Sequence, residues 1–442
     1  MSSVGETAPD ADPTSNPPGT PVRRSRARML ILLLISIGTM INYLDRTVIS
    51  VAAPAMSKDL GLNDVWMGVV FSIFSWTYVA AQIPGGAFID RIGVRLAYFW
   101  SMAVWSLFTL LQGLSTGLYS LLAYRLGLGI AEAPCFPANS RILSTWFPQH
   151  ERARATSAFT VGEYFGLAFF SPLLFWIVVT LGWRSLFVIT GVIGLAFAVV
   201  WIRSYRDPHH SKRVNQAELD YIEAGGGLGH ENEAVRFDWR NVGRLLRKRQ
   251  ILGAAIGQFG GNSTLVFFLT WFPTYLITQR HMEWLNAGFF VVMPFIAASV
   301  GLIAGGWLSD RIIARTGNAS MGRKLPILSG LVLAATIVSA NYVASNTVVI
   351  FIMSIAFFGQ GMVGLGWTLL TDVAPKRHLG LSGGIFNLVA NLAGIITPIV
   401  IGIIVGATGS FFGALFYVGA VAAIGALAYI FVVGDVHRVE ID

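Results

Sequence analysis

Twelve apolar stretches of about 20 residues, the length a helix needs to cross a bilayer, recur along the chain. They fall near 29–53, 65–89, 96–114, 118–143, 156–180, 183–205, 251–279, 287–309, 326–344, 347–371, 380–407 and 410–433. Hydrocarbon offers a backbone no hydrogen-bond partner, so each stretch must close its own ladder as a helix. The expected fold is therefore an all-α polytopic membrane protein of twelve transmembrane helices. Composition agrees. Of 442 residues, 54% are hydrophobic and 12% are charged, about half the charged share of a soluble domain. Lipid rather than water must cover most of the surface.

The sequence carries a net charge of +8, which raises the question of nucleic acid. The basic residues do not form a patch with interleaved aromatics, as RNA binding would need. They sit in short segments between apolar runs, as the positive-inside rule expects. With both termini inside, the segments on the inner side hold 26 of the 31 Lys and Arg residues, and Lys58, Arg184 and Arg280 fall outside. The remaining two, Arg46 and Arg125, lie within spans. A multi-pass protein of the cell inner membrane with both termini cytoplasmic is the expectation.

A long polar segment divides the spans six and six. The expected divisions are a disordered cytoplasmic tail at 1–28, a six-helix bundle at 29–205, a cytoplasmic linker at 206–250, a second six-helix bundle at 251–433 and a short tail at 434–442. Within the linker, Ala217–Ile222 reads as a short surface helix that stops at Gly225-Gly226-Gly227.

The two bundles repeat each other. After the second span comes Gly85-Gly86-Ala87-Phe88-Ile89-Asp90-Arg91, and after the eighth Gly305-Gly306-Trp307-Leu308-Ser309-Asp310-Arg311. Paired glycines let helices approach closely. Asp90, Arg91, Asp310 and Arg311 then stand at the cytoplasmic mouth as a conformational gate, able to pair with charges or helix ends of the neighbouring bundle. Arg95, Arg323 and Lys324 are the expected partners.

Five charged residues fall inside spans: Asp45, Arg46, Arg125, Glu132 and Glu163. A charge at the bilayer centre costs at least about 2.5–3.5 kcal/mol, so one retained there usually has a partner or a task. From the helical rise, Asp45 lies about 12 Å, Arg125 about 10 Å and Glu132 about 21 Å below the outer surface of the core. Asp45 and Arg125 thus share a level. Arg125 and Glu132, seven apart, lie nearly on one face. One alternative is a static ion-pair network fixing the first and fourth helices, although buried pairs contribute little net stability. The other is a proton-coupled anion site. Burial disfavours a carboxylate's charge and a nearby guanidinium restores it, so substrate arrival can load or release a proton. The planar fork of Arg46 or Arg125 matches a carboxylate. In the second bundle, Asn387 and Asn391 share a helix face, as do Gln258 and Asn262. They would serve either a hydroxyl-rich substrate or interhelical hydrogen bonding.

The repeated GGxxxDR, the long central loop and the string GAFIDRIGVR at 86–95 resemble the major facilitator superfamily over nearly the whole span from 29 to 433. Local strings bring a finer resemblance: NYLDR (42–46), FSWTYVAAQIPGG (74–86), EAPCFPANSRILSTWFPQHERARA (132–155), AELDYI (217–222), FFLTWFPTYL (267–276) and FNLVANLAG (386–394). Together these are similar to the anion:cation symporter family, and within it to the bacterial D-galactonate:proton symporters. The resemblance implies the major facilitator fold and import of a hexonate, hexuronate, aldarate or other organic anion, with the proton as coupling ion and no other cofactor. It implies that Arg46 contacts the substrate carboxylate, that Asp45 and Glu132 take protons, and that Arg125 links the two sites. It also places Tyr78, Asn387, Thr368 and Thr371 around the substrate, and Tyr43, within a turn of Arg46, lines the same cavity. The chain departs at Glu163, where those symporters carry a Gln that meets sugar-acid hydroxyls. A carboxylate there accepts hydroxyls, binds a proton or marks a different substrate, and the runner-up is an aromatic or dicarboxylic acid anion.

Other chemistries find no footing in the sequence. The sole cysteine, Cys135, excludes an intrachain disulfide, and no histidine spacing suggests a metal site. No glycine-rich loop is followed by Lys-Ser or Lys-Thr, so ATP coupling is not expected. No nucleophile, base and orienter group together, so the chain does not read as an enzyme. The expected partners are a small organic anion, protons and the lipid bilayer, with the protein acting as a monomer.

Overall fold

The computed structural model describes residues 24–227, 239–375 and 378–439. Most of the N-terminal tail, His230, Arg236, Lys376 and Arg377 lie outside the described residues. Before the linker run α1 (Ala27–Leu60), α2 (Asp64–Ile92), α3 (Val94–Gln112), α4 (Leu118–Glu132), α5 (Cys135–Trp146), α6 (Gln149–Leu181) and α7 (Trp183–Ser204). The linker carries α8 (Gln216–Ala224) and α9 (Trp239–Leu246). After it come α10 (Arg249–Thr270), the single turn α11 (Phe272–Thr274), α12 (Trp284–Thr316), α13 (Ala319–Ala335), α14 (Asn346–Val363), α15 (Gly366–Val373), α16 (Leu379–Thr408) and α17 (Phe412–Phe431). No strand occurs among the described residues.

Among the described residues, eleven helices are long and apolar enough to cross a membrane. The twelfth crossing, expected over 118–143, is split into α4 and α5. Pro134 has no N–H with which to continue the ladder, and the chain turns at Ala133-Pro134 immediately after Glu132. Irregular backbone at membrane depth is tolerated where protein or a cavity surrounds it, and Glu132 is fully buried. Two joints use a single residue. Gly93 between α2 and α3 has φ +78°, and Gly182 between α6 and α7 has φ +83°. A side chain would strain either backbone.

Ser25, the linker and the chain's last described residues gather at one end of the bundle, here termed the tail end. Glu218 of α8 is fully buried there. It accepts from the Ser25 hydroxyl, from Ala27 N at 3.1 Å and from Arg28 Nη1 at 3.0 Å, so a linker carboxylate caps the start of α1. The short helix expected at 217–222 is therefore no simple surface helix: Glu218 and Ile222 face inward. At the same end Gln250 meets His437, and Lys324 donates to Gly434 O at 2.8 Å.

Helices before and after the linker meet along α2–α16 and α6–α12. The contacts are close at the opposite, far end. A Cβ on Gly68 would stand 2.5 Å from Pro398 O, and one on Gly402 would stand 2.6 Å from Asp64 O. Trp271 donates Nε1 to Pro398 O at 3.1 Å and sets its ring against Phe71. One apolar core, including Phe71, Phe175, Trp271 and Phe295, joins both sides of the linker. Towards the tail end the cores are separate. One is built from α1 to α8 around Tyr98, Trp146 and Trp201, and another from α10 to α17 around Phe386 and Tyr429. Among the described residues no ion pair joins the two sides. The molecule is closed at the far end and parted at the tail end.

The gate residues find partners within their own side of the linker. Asp90 pairs with Arg141 of α5 rather than with Arg95. Arg95 instead donates to Ile202 O at 2.5 Å, because Trp201 and the end of α7 cover it. Asp310 lies 3.7 Å from Arg323, which also donates to Asp372 at 2.9 Å. Lys324 is spent on Gly434. Arg91 is exposed and Arg311 stacks over Trp307 at 4.9 Å. Every partner belongs to the same side of the linker as its Asp.

Candidate functional site

Arg46 is the centre of the candidate site. It lies beside the last residue of α4 and donates Nε to Glu132 Oε1 in a buried ion pair. Three rings surround the guanidinium: Tyr43 at 5.0 Å, Phe74 at 5.1 Å and Tyr78 at 4.9 Å. Aromatic faces attract a cation and exclude water around it. The pair is incomplete, since Arg46 Nη2 and Glu132 Oε2 are buried without a hydrogen-bond partner among the described residues. One prong of the guanidinium fork and one carboxylate oxygen are thus left unsatisfied by the pair itself.

Close helix packing positions these groups. Gly129 on α4 lets α2 come so near that a Cβ there would be 2.3 Å from Thr77 Oγ1. Thr77 itself donates to Leu126 O at 2.9 Å, which pins the two helices. Glu132, Phe74 and Tyr78 therefore converge on Arg46 from two sides. Glu163 on α6 is 4% exposed and faces Tyr43 and Arg46. The second carboxylate of the site thus comes from the position where the family resemblance implies a Gln.

Asp45 and Arg125 do not meet, although the helical rise puts them at one level. Arg125 donates Nε to Val70 O at 3.2 Å and Nη2 to Phe71 O at 3.3 Å, and its guanidinium lies 5.1 Å from the Phe74 ring. It binds two carbonyls of α2 and reaches no carboxylate within ion-pair distance among the described residues. Asp45 faces Trp105 and Thr109 of α3, away from the ring box. Consecutive residues on a helix point about 100° apart, so Asp45 and Arg46 serve different sides of α1.

Across the midline, Asn387 Nδ2 donates to Gln82 Oε1 at 3.1 Å, and Asn391 donates to Asn387 Oδ1 at 2.9 Å. Gln82 is one turn along α2 from Tyr78, so the amides continue the wall that begins at Arg46. Gln258 donates to Asn262 at 3.1 Å, and Asn262 to Ala390 O at 3.1 Å. That second pair holds α10 to α16, the packing alternative. Arg46, Tyr43, Gln82, Asn387 and Asn391 are partly exposed at mid-depth, where the two sides begin to part.

Thr371 lies at the tail end rather than against the ring box. The Thr371 hydroxyl donates to Thr368 O, and Arg438 reaches Thr371 O at 3.4 Å. Thr371 is exposed beside the Arg323–Asp372 pair at the tail end. The break at Gly364-Leu365 separates α15 from α14, and α15 runs on to the tail-end surface. Sequence reasoning missed Gln82 and Phe74. Both lie in the string 74–86, and the signal was present: Phe74, Tyr78 and Gln82 repeat every fourth residue on one face.

Comparison with known proteins now fits these observations. The family model described as Major Facilitator Superfamily matches residues 35–398. The chain is 43% identical over 432 residues to the probable galactarate/D-glucarate transporter of Escherichia coli strain K12, covering 95% of this chain and 96% of that one. It is 42% identical to the D-galactonate transporter of Escherichia coli O6:H1 strain CFT073, covering 96% and 99%. In fold it is similar to a bacterial homologue of the human lysosomal transporter Spinster, with TM-score 0.71, 19% identity and coverage of 92% and 97%. It is also similar to a D-xylose–proton symporter, with TM-score 0.70, 16% identity and coverage of 92% and 98%. The all-α helical bundle, the repeated GGxxxDR and these matches together place the chain in the Major Facilitator Superfamily, among transporters rather than enzymes.

Proposed function

We propose that this protein is a proton-coupled symporter that imports a sugar acid anion, a hexonate, hexuronate or aldarate, by alternating access about a midplane site. It sits in the cell inner membrane with both termini and the linker in the cytoplasm, as the distribution of Lys and Arg supports. It works as a monomer and needs no cofactor beyond the coupling proton.

The observation that carries this reading is the buried Arg46–Glu132 pair. Arg46 is the cation of the aromatic box, and Glu132 already neutralises it. An incoming carboxylate added to that pair would leave a net negative charge in a dry site, at a cost of several kcal/mol. A proton on Glu132 removes the conflict: the anion takes the guanidinium and the site stays neutral. Binding of anion and proton are then obligatorily linked. Release follows the same balance in reverse at the tail end, where the two sides already part. Gln82, Asn387 and Asn391 supply amides for hydroxyls, which suits a polyhydroxylated acid. The relatives of this chain include transporters named for a diacid and for a monoacid at 43% and 42% identity, so identity does not choose between them. Glu163 does bear on the choice. As a carboxylate it accepts hydroxyls of a monoacid, whereas a second substrate carboxylate there requires it protonated. The second reading, an aromatic acid, draws on the rings of Tyr43, Phe74 and Tyr78 around Arg46.

The test is uptake into proteoliposomes with an inward proton gradient, across galactonate, gluconate, glucuronate, glucarate and an aromatic acid. Uphill accumulation of one sugar acid, collapsed by a protonophore, is expected. Uphill accumulation retained by both Glu132→Gln and Asp45→Asn, or uptake of the aromatic acid alone, overturns the reading.

A further inference from the structure

A second polar feature of the interior lies outside the ring box. On α3 and just beyond it, Ser101, Trp105, Ser106, Thr109, Gln112 and Ser115 are all buried, none more than 4% exposed. Ser101 Oγ, Trp105 Nε1, Ser106 Oγ, Thr109 Oγ1, Gln112 Oε1 and Ser115 Oγ have no hydrogen-bond partner among the described residues. Ser101, Trp105, Thr109 and Gln112 follow helical spacing, so they form one stripe. Opposite the stripe is Asp45, 1% exposed, whose carboxylate is approached by Trp105 and Thr109 but makes no hydrogen bond of good geometry with either.

The stripe lies in the seam between α1, α3 and α7. Asp45 faces Trp105 and Thr109. On α7, Gly194 meets Ser106 so closely that a Cβ would be 2.1 Å from its hydroxyl. From Trp105 to Ser115 the chain climbs about 15 Å towards the far end. There Arg184 reaches Ser115 O at 3.5 Å and pairs with Asp59, which also accepts from Trp183 Nε1 at 3.2 Å. That ion pair is half-exposed, with side-chain exposures of 49% and 46%. The stripe therefore begins at a buried carboxylate and ends at the far-end surface. Glu132 on α4 is the other charged group near Asp45, whereas Thr190, Gly191 and Gly194 of α7 bring no charge.

Native proteins leave few buried polar groups unsatisfied, and an aligned set of them around a carboxylate calls for internal water, which needs two to four polar partners per molecule. We infer that a file of water molecules fills the seam between α1, α3 and α7 and carries protons between the far-end surface at Asp59–Arg184 and Asp45, apart from the route taken by the anion. In each step a water accepts a proton from its far-side neighbour and passes one of its own inward, and the last transfer forms the O–H bond on Asp45. No bond other than O–H changes. Asp45 is then loaded while the space between the two sides is shut at the far end. Thr109 and Gln112 act as positioning residues for this water.

The inference rests on the proton-symport reading, and its test separates the two. Radiolytic hydroxyl labelling of the full-length protein reads water beside buried side chains. The expected result is oxidation of Trp105, despite its burial, that falls at least about tenfold, the effect of roughly 1.4 kcal/mol, in Thr109→Val/Gln112→Leu. In proteoliposomes the same double variant is expected to slow gradient-driven uptake of the accumulated sugar acid while leaving counterflow without a gradient intact. Thr109→Ser, which keeps the hydroxyl, should restore the rate in the presence of native Gln112. An unlabelled Trp105 in the wild type, or a double variant with unchanged gradient-driven uptake, overturns the water file. Wild-type uptake without proton movement overturns the symport reading instead, and labelling then decides the water file by itself.

Discussion

The two repeated halves carry opposite chemistry at the midplane. Helices α1, α4 and α6 bring Asp45, Arg46, Arg125, Glu132 and Glu163, all but Arg46 nearly or fully buried. Helices α10 and α16 answer with neutral amides: Gln258, Asn262, Asn387 and Asn391. A duplicated scaffold therefore does not imply a duplicated site. Charge in low dielectric is costly, and on the proposed reading confining it to one half would let a single proton event reset the whole cluster. On the same reading the other half would recognise hydroxyls by hydrogen bonds that do not change with protonation. The gate motifs diverge as well. Asp90 has one partner, Arg141, whereas Asp310 shares Arg323 with Asp372.

This contrast can be broken most severely at Arg46. Replacing it with Ala strands Glu132 and removes the anion's cation, a loss of about 3–5 kcal/mol for one partner of a buried pair. Uptake should fall by at least about 100-fold, measured with radiolabelled sugar acid. Arg46→Lys should recover little, because an ammonium cannot offer Glu132 and a substrate carboxylate the two edges of a fork. Next comes Glu132→Gln, which keeps shape and removes the titrating group. Gradient-driven accumulation should stop while exchange of internal for external substrate persists. A variant that loses both would make Glu132 a structural anchor.

The neutral half should respond more gently. Asn387→Ala removes the bond to Gln82 and the acceptor of Asn391. On the proposed reading substrate hydroxyls take one or two bonds from this amide cluster; at about 1 kcal/mol per bond, losing them should raise KM about fivefold to thirtyfold, with proton stoichiometry unchanged. A change in stoichiometry would erase the division of labour between the halves. The smallest effect is expected at the tail-end gate, where exposed ion pairs are worth about 0–1 kcal/mol. Asp90→Asn should alter the balance between open and closed forms more than Asp310→Asn, since Arg323 keeps Asp372 after the second change. Accessibility of tail-end cysteines to a thiol reagent, introduced on a background lacking Cys135, would rank the two.

Much of this was legible in the residues. Apolar run length set the helical crossings, and GGxxxDR marked the repeat. The charges in spans marked the site, because hydrocarbon makes each of them conspicuous. What was not legible was direction around the helix axis. The rise per residue put Asp45 and Arg125 at one depth, but depth says nothing of azimuth, and the two face different neighbours. Arg125 found carbonyls of α2 rather than a carboxylate, a partner that leaves no trace in sequence. Arg95 looked available to Asp90 until the end of α7 covered it. The consequence of Pro134 was not read: the crossing splits right after Glu132, which places that carboxylate at a helix end beside Arg46. Gln82 escaped notice because a single amide in an apolar run is unremarkable until Asn387 is seen to reach it from the other half.

The central claim is that substrate and Glu132 compete for Arg46 and that a proton decides the contest. Isothermal titration calorimetry of the accumulated sugar acid, repeated in buffers of different ionisation enthalpy, counts the protons taken up on binding. The wild type should take up protons as the anion binds, and Glu132→Gln should bind the anion with about one proton fewer, as linkage requires. An equal proton count in both proteins would mean that Arg46 receives the anion without displacing Glu132, and would contradict the account.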